Sequence, residues 1–262
     1  ICPADAMCMP WRGQGQYTTI YGFDLDALVY KYATVVAGTT WNQYSMDENT
    51  QWQFRIVTSD WRDGKNDTNV FIVGKDGKVT WKLQGIAPNE QFYGVRFMGD
   101  YLYLVTYRQI DPLFVIDTSV STNPKVIGEL KMPWYSTYLH PYGPLTDGVQ
   151  YLIWLWYETK TLENGGEQQW WVKLDLYKID FNKKDAKWRI AVTQAWTKTM
   201  WEAGSQTEAL YNPRMFVFNS TTKELVLPLV LSEVKKTQSC NIIYDNDGKE
   251  LRKDCYPYDQ QM

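Results

Sequence analysis

Four apolar runs recur along the chain: QFRIVTSD from residue 53, YLYLVTYR from 101, YLIWLWYE from 151 and ELVLPLVL from 224. Successive starts lie 48, 50 and 73 residues apart. Each run is the length of one strand and rich in the β-branched and aromatic residues that suit a pleated, buried surface. A short segment with a small residue precedes each one: Ser45, Gly94, Ser136 and Ala209. A further pair of strand-like stretches follows each one, joined by breakers at Lys75-Asp76-Gly77-Lys78, Asn123-Pro124 and Asn246-Asp247-Gly248. Gly supplies positive φ and Pro presets φ, so these breakers are turns with a mechanism.

A four-stranded antiparallel unit repeated every ~40–50 residues is the period of a β-propeller blade. The last interval is longer because TKTLENGGEQQWW (159–171) and residues 197–206 are inserted. The reading is therefore an all-β propeller of about four and a half blades, in keeping with the length and spacing rules. It has a cysteine-containing segment over 1–15, a partial blade over 16–38, and blades over 42–85, 92–131, 135–196 and 206–258. The partial blade is read as two outer strands without their inner pair. This makes the chain the expected carboxyl-terminal part of a larger propeller or one product of a cleavage. Unconventional closure of a small ring is the alternative. Edge strands at an open end invite pairing, so a protein partner, self-assembly or the missing amino-terminal blades are the expected partners.

A net charge of −3 provides no basic footprint for nucleic acid. No window reaches the roughly 20 apolar residues that a membrane-spanning helix needs. The four cysteines, Cys2, Cys8, Cys240 and Cys255, sit at the two ends with no CxxC pair. With one histidine in the chain they are better read as disulfides than as zinc ligands. The pairing is either Cys2–Cys8 with Cys240–Cys255 or a clamp between the chain ends. Two sequons, at Asn66 and Asn219, join the cysteines in pointing to a secreted or surface glycoprotein.

RFMGDYLYLVTYRQIDPLFVIDTSVSTNPKVIGELKMP, then STYLHPYG and TEALYNPRMFVF, resemble the secreted β-propeller domain family of archaea and bacteria, distantly related to WD repeats. NQYSMDE at 42–48 agrees with that pattern, and the resemblance covers about residues 16–245. It implies a propeller fold and an extracellular compartment. It carries no activity to transfer. The tryptophans, the insertion at 159–171 and the terminal cysteines depart from the family pattern and mark a specialised member.

His140, in STYLHPYG, is the residue most suited to a ligand contact or a general base, although a structural role is the simpler expectation. No G-x-S-x-G elbow accompanies it. Trp134, Trp170 and Trp171 fall at strand ends or beside a loop, where indole faces stack on sugars or anchor protein interfaces. Trp154 and Trp156 read as packing. Asp60, Asp63 and Asp67, in DWRDGKNDT, are the better calcium candidates, ahead of DNDGKE at 245–250, which reads as a hairpin turn. No cofactor other than that Ca2+ is called for. Asp47 and Glu48 are adjacent and point to opposite faces of a strand, which weakens a hydrolase pair. The functional expectation is a non-catalytic extracellular interaction or assembly scaffold. The alternative is a propeller that binds or hydrolyses carbohydrate.

Overall fold

The computed structural model describes residues 15–62, 65–107, 111–132, 136–161, 167–200, 205–231, 234–244 and 250–261. Antiparallel strands dominate, with three short 3-10 turns among the described residues. β1 (Tyr17–Asp24) and β2 (Val29–Ala37) form a hairpin. β3 (Met46–Glu48), β4 (Phe54–Arg62), β5 (Lys65–Val73) and β6 (Val79–Ile86) form a four-stranded meander. β7 (Gln91–Met98), β8 (Tyr101–Tyr107), β9 (Asp111–Asp117) and β10 (Lys125–Met132) form a second. β11 (Ser136–Pro141), β12 (Val149–Thr161), β13 (Glu167–Lys184) and β14 (Ile190–Met200) form a third. The chain divides into two compact units, residues 1–156 with 175–197 and residues 157–174 with 198–262.

In the first unit the sheets pack face against face. Tyr103 and Val105 of β8 meet Leu139, Leu152 and Trp154 of the third sheet. Their neighbours Leu102 and Leu104 point the other way, to Val57 and Val70 of the first sheet. Alternate residues of a strand face opposite sides, so a strand covered on both sides must be apolar throughout. YLYLVTY meets that demand: Leu102, Tyr103, Leu104 and Val105 are fully buried. Each buried leucine contributes about 1.5–3 kcal/mol relative to exposure. Trp154 and Trp156 are buried as well. The hairpin packs Ile20, Val36 and Ala37 on Ile56 and Phe71, while its other face leaves Tyr17, Tyr21, Phe23 and Val35 exposed.

Polar ties cross between the sheets. Arg55 of β4 is 1% exposed. Its Nε and Nη2 donate to the Asp47 carboxylate at 2.8 and 2.6 Å. Its Nη1 donates to Thr118 Oγ1, beyond β9, at 2.7 Å. Asp47 is thereby committed to holding a buried cation. Gly77, in the turn between β5 and β6, has φ +76° and lies against the Tyr32 ring, where a Cβ would collide. Only glycine meets both demands.

In the second unit, over 206–258, the sequence leads one to expect a further four-stranded blade. The described residues instead form two separate two-stranded sheets. β15 (Val217–Asn219) pairs with β16 (Glu224–Val226), and β17 (Val234–Tyr244) pairs with β18 (Glu250–Gln261). The run ELVLPLVL supplies only its first three residues to a strand. Pro228 has no N–H to give a ladder, and its carbonyl accepts the Thr207 hydroxyl at 2.6 Å. Cys240 and Cys255 face each other across β17 and β18 and form a disulfide. Cys2 and Cys8 lie outside the described residues.

Candidate functional site

The first segments of the three stacked sheets bring together a group of rings around one guanidinium. Tyr44 lies in the 3-10 turn Gln43–Ser45, just before β3. That turn forms because the Asn42 side chain caps it, accepting from the Tyr44 N–H at 2.9 Å. Ser45 beside it is fully buried, which explains why a small residue stands there. Arg96 lies on β7. Tyr138 and His140 lie on β11, two residues apart and so on one face.

Arg96 is held from two sides. Its Nε donates to the Leu139 carbonyl at 3.1 Å and its Nη2 to the Tyr138 hydroxyl at 3.4 Å. Its guanidinium carbon sits 3.8 Å from the centre of the Tyr44 ring and 5.8 Å from that of Tyr138. At such distances the ring quadrupole attracts the cation. The rings of Tyr44 and Tyr138 lie 6.0 Å apart at a steep angle. The Tyr138 hydroxyl is 3.0 Å from His140 Nδ1.

These surroundings fix the protonation states. Burial, with the Arg96 charge beside it, lowers His140 to about 4, so the imidazole is neutral at pH 7. Burial pushes the Tyr138 phenol up to about 12, so it stays protonated. Arg96 thus brings one full positive charge, and the Tyr138 and His140 rings beside it are neutral. A general base works best with a pKa near the operating pH, and His140 is far below it. The arrangement suits binding more than proton transfer.

Nearby, Trp41 is 48% exposed and rests on Tyr93 and Phe92, with ring centres 5.2 and 6.1 Å away. It belongs to the chain segment that carries Tyr44, and Tyr93 to the strand that carries Arg96.

Of the residues singled out from sequence, His140 alone falls in this cluster. Trp134 and the Trp170 side chain lie outside the described residues, and Trp171 is half-buried on β13 in the second unit. Asp60 and Asp67 are opposed across β4 and β5; Asp60 Oδ2 pairs with Arg62 at 3.1 Å, while its buried Oδ1 has no hydrogen-bond partner among the described residues. Asp63, Asp245 and Asp247 lie outside the described residues. Among the described residues no group of three or more His, Cys, Asp or Glu gathers to hold a metal.

Asn66, read as a glycan acceptor, requires a correction. It is 5% exposed. Its Oδ1 accepts from Ser59 Oγ at 2.7 Å and its Nδ2 donates to the Glu90 carbonyl at 3.0 Å. A buried amide bonded through both its atoms leaves no room for a glycan in the folded chain, so Asn66 is a structural amide. Asn219 is exposed in a turn where its Oδ1 accepts from the backbone of Thr221 and Thr222. Its side-chain nitrogen takes no part in those bonds.

Tyr44, Arg96 and Tyr138 were not singled out from sequence. Arg96 is the one charge in an otherwise uncharged strand, QFYGVRFM. Tyr138 and His140 share a face by their spacing. Both signals are local, and neither reveals that the segments meet.

A propeller of stacked four-stranded sheets is the class this fold defines. The chain belongs to the family described as Beta propeller domain, which matches residues 6–255. It is 46% identical over 131 residues to an uncharacterized protein of Methanocaldococcus jannaschii, covering 49% of this chain and 21% of that relative. It is 32% identical over 166 residues to an uncharacterized protein of Archaeoglobus fulgidus, covering 63% of this chain and 24% of that relative. The chain thus spans about a quarter or less of the length of these curated relatives. No solved structure matches the chain significantly.

Proposed function

We propose that the chain is a non-catalytic, extracellular propeller module that docks a partner at the Tyr44–Arg96–Tyr138–His140 cluster. One observation carries this reading. Arg96 is braced by a carbonyl, a hydroxyl and a ring, yet among the described residues no carboxylate pairs with it. A cation fixed in position at such a cost in side-chain freedom is arranged for a ligand. The exposed apolar face of the β1–β2 hairpin supports a protein partner or self-assembly. The Cys240–Cys255 disulfide and the exposed sequon at Asn219 support an extracellular location.

The test compares wild type with Arg96→Ala as immobilised bait in the extracellular fraction of the producing cells. A partner retained by wild type and lost by the folded variant supports the reading. Hydrolysis of a panel of nitrophenyl glycosides above the buffer rate, abolished by Arg96→Ala, overturns it. A second reading, a carbohydrate-binding propeller, rests on the exposed Trp41 ring stacked on Tyr93.

A further inference from the structure

The guanidinium of Arg96 has three edges, and two of its contacts use only one of them. Nε and Nη2 on their shared side donate to Leu139 O and Tyr138 Oη. The flat face lies against the Tyr44 ring. The end formed by Nη1 and the second Nη2 hydrogen has no partner among the described residues, and Nη1 is not among the buried polar atoms left unpaired. Arg96 is itself only partly buried, so that end is open to a further acceptor while its other contacts orient the side chain.

We propose that the Nη1–Nη2 end of Arg96 is a fork for a carboxylate group of the ligand, an assignment that rests on the cluster being the docking site. Two parallel N–H donors match the two oxygens of a carboxylate. Arg presents them in fixed geometry, whereas Lys offers a point charge. Charge matching favours a monoanion. Arg96 brings one positive charge, and His140 adds none at neutral pH because burial and Arg96 keep it deprotonated. A phosphate dianion would leave excess negative charge over two tyrosine rings. The stacked Tyr44 ring leaves the guanidinium edge free while covering its face. The carboxylate has two sources: the end or an acidic side chain of a protein partner, or an acidic sugar.

The experiment titrates the whole chain with N-acetylphenylalanine, N-acetylphenylalaninamide, glucuronate and inorganic phosphate. It follows the Arg96 Nε–H resonance by NMR and the affinity by calorimetry. The expected result is that one or both carboxylates move the resonance, while the amide does not. Arg96→Lys should bind that carboxylate more than about tenfold more weakly although it keeps the charge. Response to N-acetylphenylalanine assigns a protein source, and response to glucuronate alone assigns a sugar. Phosphate binding as tight as the carboxylates, or carboxylate binding unchanged in Arg96→Lys, overturns the inference. So does an Arg96 resonance unmoved by every probe, and that measurement needs no variant. If a captured partner still depends on Arg96 but is not displaced by carboxylates, the docking site stands and the fork fails. If no partner depends on Arg96 while the fork binds carboxylate, the docking reading fails instead.

Discussion

Strand β8 and strand β16 come from runs of similar apolarity, YLYLVTY and ELVLPLVL, and meet opposite fates. In β8 four consecutive side chains are fully buried, two against each neighbouring sheet. In the second run only Glu224–Val226 forms a strand, and Val226, Val230 and Leu231 remain 65, 66 and 46% exposed. The difference is not hydrophobicity. YLYLVTY has an unbroken set of backbone donors and pairs on both edges, with β7 and β9. ELVLPLVL has Pro228 at its centre; its ladder with β15 ends at Val226, and beyond the proline Val230 makes a single bridge, with Gln206. An apolar run states that a segment is able to be buried. Pairing on both edges, in a sheet covered on both faces, decides whether it is.

The largest effect that sharpens this comparison is Leu104→Ala. It leaves a cavity between two sheets and should cost about 2–5 kcal/mol, read as a lower denaturant midpoint. A cost under about 1 kcal/mol would mean that the β8 interface collapses around the gap, which would remove the contrast with β16. The Cys240–Cys255 disulfide comes next. It closes a loop of 15 residues between strands that are paired as a lone hairpin, and a loop of that size contributes about 3 kcal/mol. Cys240→Ser with Cys255→Ser should speed hydrogen exchange along β17 and β18 while leaving β8 amides protected. Equal loss in both regions would show that the two units unfold as one.

Much of the fold is legible because its evidence is periodic. The spacing of QFRIVTSD, YLYLVTYR and YLIWLWYE places β4, β8 and β12 at equivalent positions in successive sheets. Small residues at Ser45 and Ala209 mark crowded backbone, and both are fully buried. The candidate site is less legible because its members come from three repeats. His140 stands out alone, but nothing near residue 140 points to Tyr44 or Arg96. Asn66 shows a second limit. A sequon is a three-residue pattern, and burial in β5 depends on the Glu90 carbonyl 24 residues away.

A smaller effect separates the interior of the stack from its surroundings by pH. His140 is lowered to about 4 by burial and by Arg96, whereas an unfolded histidine titrates near 6.5. Between these values the unfolded chain holds more protons. Stability from this group is therefore complete above about pH 6.5, falls as pH drops toward 4, and is level below it. Partial exposure discounts the full shift to about 1–3 kcal/mol. His140→Gln should flatten the stability curve between pH 6.5 and 4. An unchanged slope would place the acid sensitivity elsewhere in the stack.

The smallest effect is the sharpest check on the comparison itself. Val226 ends β16, opposite Val217, and is 65% exposed. A surface change away from caps, cavities and buried polar groups stays within about 0.5 kcal/mol. Val226→Ser should therefore leave the unfolding midpoint nearly unmoved, although it removes an apolar side chain from one of the most hydrophobic stretches in the chain. A loss as large as that of Leu104→Ala would show that this stretch is covered when the protein is in solution. Val226, Val230 and Leu231 would then belong to an interface, and the contrast between the two runs would be one of partner and not of pairing.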